Sequence, residues 1–273
     1  MRKLKYLTEE EELEVFNERE SGNKRKDILS KWGISERHYK DIILENGGVF
    51  NNLTQKYNFN EDYFETIDSE DKAYFLGFII ADGTINCDNN SIRIIQKETY
   101  ILYEFKKCVD FEGPIFTRKD GKISYITMSS SKMKNDLDKL GIYSNKTMFV
   151  KYPDIPRHLQ NHFIRGVFDG DGCISMRRDK RDNSVRGQFN ICSGSHDFIR
   201  DYYNKLVGYA GLGGKNKIRC PKGTYYVCDW GSMSDIEKIY EFLYEDSTIY
   251  LNRKRETFDE IVSITKSKKK YRK

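Results

Sequence analysis

FLGFIIADGTI (Phe75–Ile85) is echoed by IRGVFDGDGCI (Ile164–Ile174) in this chain of 273 residues. Both stretches are long and apolar enough for a buried helix, and both carry Asp-Gly near their end. Glycine just past the last turn is a common helix terminator. Self-similarity at this spacing indicates that the chain contains two copies of one structural unit.

The sequence around each stretch follows the same order of elements. Strand-like segments follow the first helix, then come a second helix, another pair of strands and a closing helix. The matching segments are Ile92–Gln96, Glu98–Val109, Ser124–Ser130 and Lys132–Leu140 in the first copy, and Gly187–Ser193, His196–Tyr209, Thr224–Ser232 and Ser234–Tyr244 in the second. Each copy is therefore predicted as α-β-β-α-β-β-α. Together they predict an α+β fold, in which two pseudo-symmetric repeats form concave antiparallel sheets of about eight strands.

The repeats set the predicted domain boundaries. We place a small all-α helix-turn-helix module at residues 1–46, a linker at 47–67, the first repeat at 68–157, the second at 158–264 and a basic tail at 265–273. The linker is rich in Asn and aromatic residues, so we expect it to pack onto the domain that follows.

The N-terminal module has the pattern of a DNA-binding helix pair. Gly33 supplies a turn between two short helices, and Ser35 can cap the second of them. Arg37, His38 and Lys40 would then lie on the exposed side of that second helix, which enters the major groove in helix-turn-helix proteins. A generic three-helix packing module is the alternative interpretation.

Small residues recur four positions apart in both repeated helices. They are Gly77 and Ala81 in the first, and Gly166 and Gly170 in the second. This spacing puts them on one face and allows two helix backbones to approach closely. The sequence therefore predicts that the two repeats meet through these helices.

The aspartates at the C-termini of the repeated helices are in an electrostatically unfavourable position. A carboxylate at a helix C-terminus faces the negative end of the dipole, at a cost of about 0.3–1 kcal/mol. Packing the helices side by side would also bring Asp82 and Asp171 together. A bound cation removes both penalties, and Mg²⁺ (or Mn²⁺) suits the position because it takes one or two carboxylates with water and phosphate oxygens. The alternative is an Asp-Gly turn that merely closes each helix.

Composition narrows the class of protein. Hydrophobic residues at 38% and charged residues at 33% are typical of a folded globular chain, not a disordered one. The chain lacks a membrane-spanning run and a signal-peptide core, so we expect a cytoplasmic protein whose six cysteines are free thiols. Thr265–Lys273 holds six basic residues and no acid, within a net charge of +5. Such a tail is typical of nucleic-acid binding, although it could also serve only solubility.

FLGFIIADG and IRGVFDGDG resemble the two signature motifs of the LAGLIDADG homing endonucleases, in their single-chain, two-motif form. The resemblance covers residues 63–262 and includes the flanking sequence KYPDIPRHLQNHFIRGVFDGDG. The motif is relaxed at its sixth position, which holds Ile80 in the first copy and Asp169 in the second. The acid of the eighth position is present in both copies, as Asp82 and Asp171.

This resemblance implies a metal-dependent endonuclease that makes a staggered double-strand break in a long DNA site. It implies a monomer whose two motif acids bind the metal. It also implies that Lys146 and Lys254 each place a cation near one scissile phosphate. Gln96 matches a polar catalytic position near the metal in relatives, and the second copy has Ser193 there, so we expect two unequal sites.

Strand alternation predicts which residues face double-stranded DNA. Polar residues that alternate with apolar ones would point at base edges, where Arg reads guanine and Asn or Gln reads adenine. They are Thr84, Asn86, Ser175, Arg177, Gln188 and Asn190. A plain solvated sheet face is the structural alternative for any one of them.

Two alternatives to an endonuclease are a maturase that binds intron RNA and a transcription regulator without catalysis. The presence of both aspartates and both lysines argues against the second.

Overall fold

The computed structural model describes residues 7–47, 57–144, 148–178, 184–213, 217–221 and 223–270, the side chains of 266–270 excepted. The chain divides into two compact units, Met1–Thr54 and Gln55–Lys273. The division falls inside the predicted linker. Its later part joins the second unit, where Tyr63, Phe64 and Ile67 are buried in the core.

The first unit consists of three helices in the described residues: α1 (Glu9–Glu20), α2 (Arg25–Trp32) and α3 (Glu36–Glu45). Gly33 follows α2 in the left-handed region, with φ of 66°, and the Ser35 side chain caps α3. These two residues build the expected turn between the helices. The unit has its own core, made of Val15, Ile28, Trp32, Ile34, Tyr39, Ile42 and Ile43.

The second unit begins with the first repeat. Its elements are α4 (Glu70–Asp82), β1 (Gly83–Asn86), β2 (Ser91–Gln96), α5 (Thr99–Cys108), β3 (Phe116–Thr117), β4 (Ser124–Ser129) and α6 (Ser131–Lys139). The strands form an antiparallel sheet in the order β1-β2-β4-β3. The order of elements is the one that the sequence predicted.

The second repeat follows the same order. After a short 3₁₀ turn (Arg157–Leu159), its elements are α7 (Gln160–Asp171), β5 (Cys173–Arg178), β6 (Val185–Ser193), α8 (His196–Ala210), β7 (Tyr226–Trp230) and α9 (Met233–Tyr244). The sheet order is β5-β6-β7, also antiparallel. A single bridge between Arg219 and Val227 stands where the first repeat has β3. The described residues therefore hold seven strands, against the eight or so expected, and the α+β fold class is confirmed.

A further helix, α10 (Asn252–Lys270), closes the second repeat. It packs on β5, β6 and α9 through buried residues that include Phe258 and Ile261. A Cβ at Gly187 would lie 3.1 Å from a methyl carbon of Ile261, so glycine on β6 admits this helix closely. The helix extends through the first part of the predicted basic tail. No helix among the described residues is both long and apolar enough to cross a bilayer.

Helices α4 and α7 form the most extensive packing contact between two elements of the second unit. A Cβ on Gly166 would lie 2.0 Å from the carbonyl oxygen of Tyr74, and a Cβ on Gly77 would lie 2.3 Å from that of Phe163. Neither position can carry a side chain without moving backbone. The small residues therefore pair the helices as their spacing predicted, inside one core that both repeats share.

This contact predicts an unequal response of two helical glycines to alanine. Gly166→Ala forces a methyl group into the Tyr74 carbonyl and should lower the free energy of unfolding by about 3 kcal/mol. Gly208→Ala, on the exposed side of α8 with nothing within 4 Å, should raise it by up to about 1 kcal/mol. Urea denaturation followed by circular dichroism measures both. Equal stability of Gly166→Ala and wild type would contradict the close contact.

Candidate active site

Asp82 and Asp171 are the last residues of α4 and α7. The glycine after each is extended, not left-handed, with φ of −79° at Gly83 and −84° at Gly172. Glycine is needed there for space, because a Cβ would lie 2.6 and 2.7 Å from the carbonyl oxygens of the preceding turns. The chain therefore leaves each helix directly into the first strand of its repeat.

The helices are in contact right up to their aspartates. A Cβ on Gly170 would lie 2.2 Å from the Cβ of Ala81 and 3.5 Å from the amide nitrogen of Asp82. Asp82 is half-buried and Asp171 is exposed. The structure thus brings both carboxylates to one end of a single helix pair, as the sequence predicted.

Asp82 lies beside Gln96 at the end of β2. The amide nitrogen Nε2 of Gln96 donates a hydrogen bond of 2.5 Å to Oδ2 of Asp82. A cleft of about 560 Å³ opens beside this pair, and it is lined by Asp82, Ile95, Gln96, Lys97, Glu98, Ile123 and Arg253. Gln96, which was predicted to lie near the metal, is therefore in direct contact with one of the two predicted metal ligands.

The neighbourhood of Asp171 differs from that of Asp82. In the first sheet Thr84, which follows Gly83, pairs with Arg93, and in the second its counterpart Cys173 pairs with Asn190. This register puts Ser193 at the position of Gln96. The thiol of Cys192 lies 3.9 Å from the carbonyl oxygen of Asp171, and burial together with the Asp171 carboxylate raises its pKa. The two sites therefore differ chemically.

Lys254 caps the C-terminus of α7. It is only 2% exposed, and its ammonium donates to the carbonyl oxygens of Phe168 at 2.5 Å, Asp169 at 2.8 Å and Gly172 at 2.6 Å. Burial lowers its pKa to about 8, opposed by the nearby Asp169 carboxylate. A cation here offsets the negative end of the helix. Its counterpart in the prediction, Lys146, lies outside the described residues.

Asp169, at the relaxed sixth motif position, is fully buried. Its Oδ2 accepts hydrogen bonds from the hydroxyl of Tyr74 at 2.9 Å and the amide of Leu251 at 2.8 Å. Burial raises its pKa to about 6, and the opposing charge of Lys254 limits that rise. The carboxylate therefore joins α4, α7 and the segment that leads into α10.

Two more contacts fix that segment. The hydroxyl of Tyr100 donates to the carbonyl oxygen of Tyr250 at 2.9 Å and accepts from the amide of Asn252 at 2.6 Å. Glu70, held by the buried Arg165 at 2.6 Å, accepts from the amide of Thr248 at 2.7 Å. The start of α10, and with it Lys254, is thus held by residues of both repeats.

Arg253 is a candidate site residue that was not predicted. Its Nε donates to Oε1 of Glu98 at 2.5 Å, and both residues line the cleft beside Asp82. The basic run NRKR at 252–255 could have indicated this residue. Only the structure shows that Arg253 lines the cleft whereas Lys254 is buried.

The predicted DNA-contacting residues lie where alternation predicts. Thr84, Asn86, Ser175 and Arg177 are exposed, whereas Gln188 and Asn190 are half-buried on the face away from the core. In the first unit, Arg37 and Lys40 are exposed on α3. His38 is half-buried there, with Nε2 3.4 Å from Oε1 of Glu12.

The donor set at the helix ends suits a hard cation with an incomplete protein shell. The described residues contain no group of three or more His, Cys, Asp and Glu side chains placed to hold a metal. Two carboxylates from adjacent helix ends fit Mg²⁺, which keeps several waters and takes phosphate oxygens as further ligands. They do not fit a structural zinc, which needs four protein ligands.

Comparison with solved structures identifies the fold. The chain is similar to the I-LtrWI LAGLIDADG homing endonuclease bound to target DNA, with 16% identity, a TM-score of 0.53, and coverage of 77% of this chain and 92% of that one. The LAGLIDADG homing endonuclease I-GzeII in complex with its DNA target gives 14% identity, a TM-score of 0.55, and coverage of 75% and 92%. The chain has the LAGLIDADG homing endonuclease fold.

Two other comparisons add less. No family model matches the sequence. A reverse gyrase of Methanocaldococcus jannaschii is 31% identical over 108 residues, which are 40% of this chain and 6% of that protein. Most of that protein thus has no counterpart here. The LAGLIDADG fold therefore rests on the structural similarity and on the repeated helices.

The buried position of Lys254 predicts a structural effect that its exposed neighbour lacks. Lys254→Met should lower the free energy of unfolding by about 3–5 kcal/mol, because Asp169 and three carbonyl oxygens would lose a buried cation. Arg253→Met removes an equal charge at a largely exposed position and should cost less than about 1 kcal/mol. Urea denaturation compares the two variants. A similar loss in both would contradict the capping role of Lys254.

Proposed function

We propose that this protein is a sequence-specific, divalent-metal-dependent endonuclease that cuts both strands of a long DNA target and leaves staggered ends. One observation carries the proposal: Asp82 and Asp171 end two helices whose backbones are in contact, one from each repeat. A pair of carboxylates in this position is explained by a cation that binds phosphate. The solved relatives with this fold are homing endonucleases bound to DNA, which supports DNA as the substrate.

The residues of the chain take different roles at the scissile phosphates. Asp82 and Asp171 would hold Mg²⁺ or Mn²⁺, which supplies activation of water and stabilisation of the leaving oxygen in phosphodiester hydrolysis. Gln96 fixes the orientation of the Asp82 carboxylate through its hydrogen bond. Lys97 lines the same cleft and adds positive charge where a phosphate would enter, and Arg253 beside it is paired with Glu98. Lys254 lowers the negative potential at the end of α7.

The exposed faces of the two sheets would bind the duplex. Polar side chains there are interspersed at alternate positions, which suits hydrogen bonding to base edges in the major groove. Because the two repeats are joined in one chain, a single protein molecule would contact both halves of the target. The first unit, with Arg37 and Lys40 exposed on α3, would add contacts outside that region.

The first test concerns the paired carboxylates. In the double variant Asp82→Asn, Asp171→Asn, cleavage should fall by roughly 100-fold or more, because the negative charge that attracts the cation is gone. Binding to the target in Ca²⁺ should persist, since the sheets are unchanged. The target is first found by cleaving a randomised duplex library in Mg²⁺ and sequencing the cut ends.

Asp201→Asn is the matched control for that test. Asp201 lies on α8 and pairs with Arg200 on the surface, so its loss should leave cleavage unchanged. Full double-strand cutting by the double variant would refute the catalytic assignment. Loss of binding together with cutting would instead indicate a structural role for the aspartates.

The second test separates the two units. Deleting residues 1–46 leaves the core of the second unit complete, so cleavage at saturating protein should persist. Affinity should fall, and the salt dependence of log K should weaken by about 0.9 for each phosphate that the shortened protein no longer binds. Affinity measured over a series of salt concentrations gives both quantities. If neither changes, the first unit is a packing module and not a DNA-binding one.

A further inference from the structure

Arg93 occupies a prominent place on the first sheet. It lies on β2, an inner strand of the order β1-β2-β4-β3, and its side chain is exposed. The register places it between Thr84 on β1 and Thr127 on β4, in one row across the sheet. Ile94, the next residue, faces the core. Arg93 is therefore a lone guanidinium within a row of hydroxyls.

The guanidinium of Arg93 is held in one orientation. Its Nε donates a hydrogen bond of 3.0 Å to the hydroxyl of Thr127, and its Cζ lies 5.3 Å from the centre of the Tyr125 ring. Tyr125 in turn stacks on Phe116, with ring centres 5.4 Å apart. These contacts use the inner nitrogen of the guanidinium. Among the described residues, no acceptor is hydrogen-bonded to its two terminal nitrogens.

Such an arrangement suits recognition of guanine. The two terminal nitrogens form the fork that donates to O6 and N7 of guanine, the commonest specific contact in the major groove. An arginine that is already ordered loses less side-chain entropy on binding than a free one. A contact with phosphate is less well matched, because an inner strand faces the middle of a bound groove and not its rim.

The second repeat carries a different residue at the same position. Its corresponding row is Cys173, Asn190 and Asp229, as the pairing of β5, β6 and β7 shows. Asn190 therefore stands where the first repeat has Arg93. Asn donates and accepts through one amide, the pattern that N7 and N6 of adenine complement. Asp229 forms an ion pair with Arg219, so the negative charge in this row is compensated.

We propose that Arg93 reads a guanine in one half of the target and Asn190 an adenine at the equivalent position of the other half. The proposal rests on the proposed function only as far as DNA binding. The two bases lie at equal distances from the centre of the target, on opposite sides. The target is therefore unsymmetrical at this pair of positions, although the two halves of the protein share one architecture.

The test is selection of bound sequences from randomised duplex DNA, with the full-length protein in Ca²⁺ so that no cutting is needed. Wild type should select guanine at one position and adenine at its mirror position on the opposite strand. Arg93→Gln should change the guanine to adenine, because a glutamine amide pairs with adenine. The preference at that position should move by about 5- to 150-fold, with little change elsewhere.

Further variants keep the result interpretable. Thr127→Val removes the acceptor that orients Arg93, so it should weaken the guanine preference without a shift to adenine. Asn190→Ala should reduce selection only at the mirror position. Arg200→Gln, the same chemical change at an exposed position of α8 where Arg200 pairs with Asp197, should alter neither. Circular dichroism of each variant excludes misfolding as the cause of a change.

The possible outcomes distinguish failure of this inference from failure of the endonuclease assignment. A uniform fall in affinity for all sequences in Arg93→Gln would show a phosphate contact and overturn the inference. The inference would also be overturned if wild type selected no guanine, or if the guanine that it selects were retained by Arg93→Gln. Selective binding without any cleavage in Mg²⁺ would refute the endonuclease while leaving the base assignment intact. Absence of any duplex binding would refute both.

Discussion

The backbones of α4 and α7 approach so closely that a methyl group on Gly166 would overlap the carbonyl oxygen of Tyr74. Ridges of side chains cannot produce this proximity, and only small residues at both faces allow it. The contact fixes one repeat against the other, because each helix continues directly into the first strand of its own sheet. It also fixes the aspartates, since the helices still touch at Ala81 and Gly170. Fold and candidate site therefore depend on the same few glycines.

That geometry creates an electrostatic problem. Two helix C-termini and two carboxylates meet at one end, so negative potential accumulates there. Lys254 offsets part of this negative potential on one side, because its ammonium donates to three carbonyl oxygens at the end of α7. A buried ammonium is costly unless it is hydrogen-bonded and its charge is balanced. The three carbonyl oxygens supply the hydrogen bonds, and the nearby carboxylate of Asp169 favours the charged form. The remaining negative potential at the aspartates favours a cation, which accounts for the proposed metal.

The parts of the structure that could be predicted are those with a local signal. Apolar periodicity and the Asp-Gly ends located α4 and α7, and alternation separated the two faces of β6. Helix α10 was missed because its first turn, NRKR, is strongly basic and hides the stripe of Phe258 and Ile261. The capping role of Lys254 could not be predicted, since it depends on contacts with residues more than eighty positions away. Register, which only pairing reveals, was needed to set Arg93 opposite Thr127.

Joining two repeats in one chain removes a constraint that a symmetric dimer would impose. In a dimer of identical subunits every substitution appears twice, so both sites and both recognition faces must change together. Here equivalent positions have diverged: Gln96 corresponds to Ser193, and Arg93 to Asn190. The helix contact tolerates this divergence because it depends on backbone proximity at the centre, whereas the diverged side chains lie on the sheets. A scaffold that is symmetric where the helices pack, and unsymmetrical on the exposed faces of its sheets, suits the proposed DNA target, whose two halves differ.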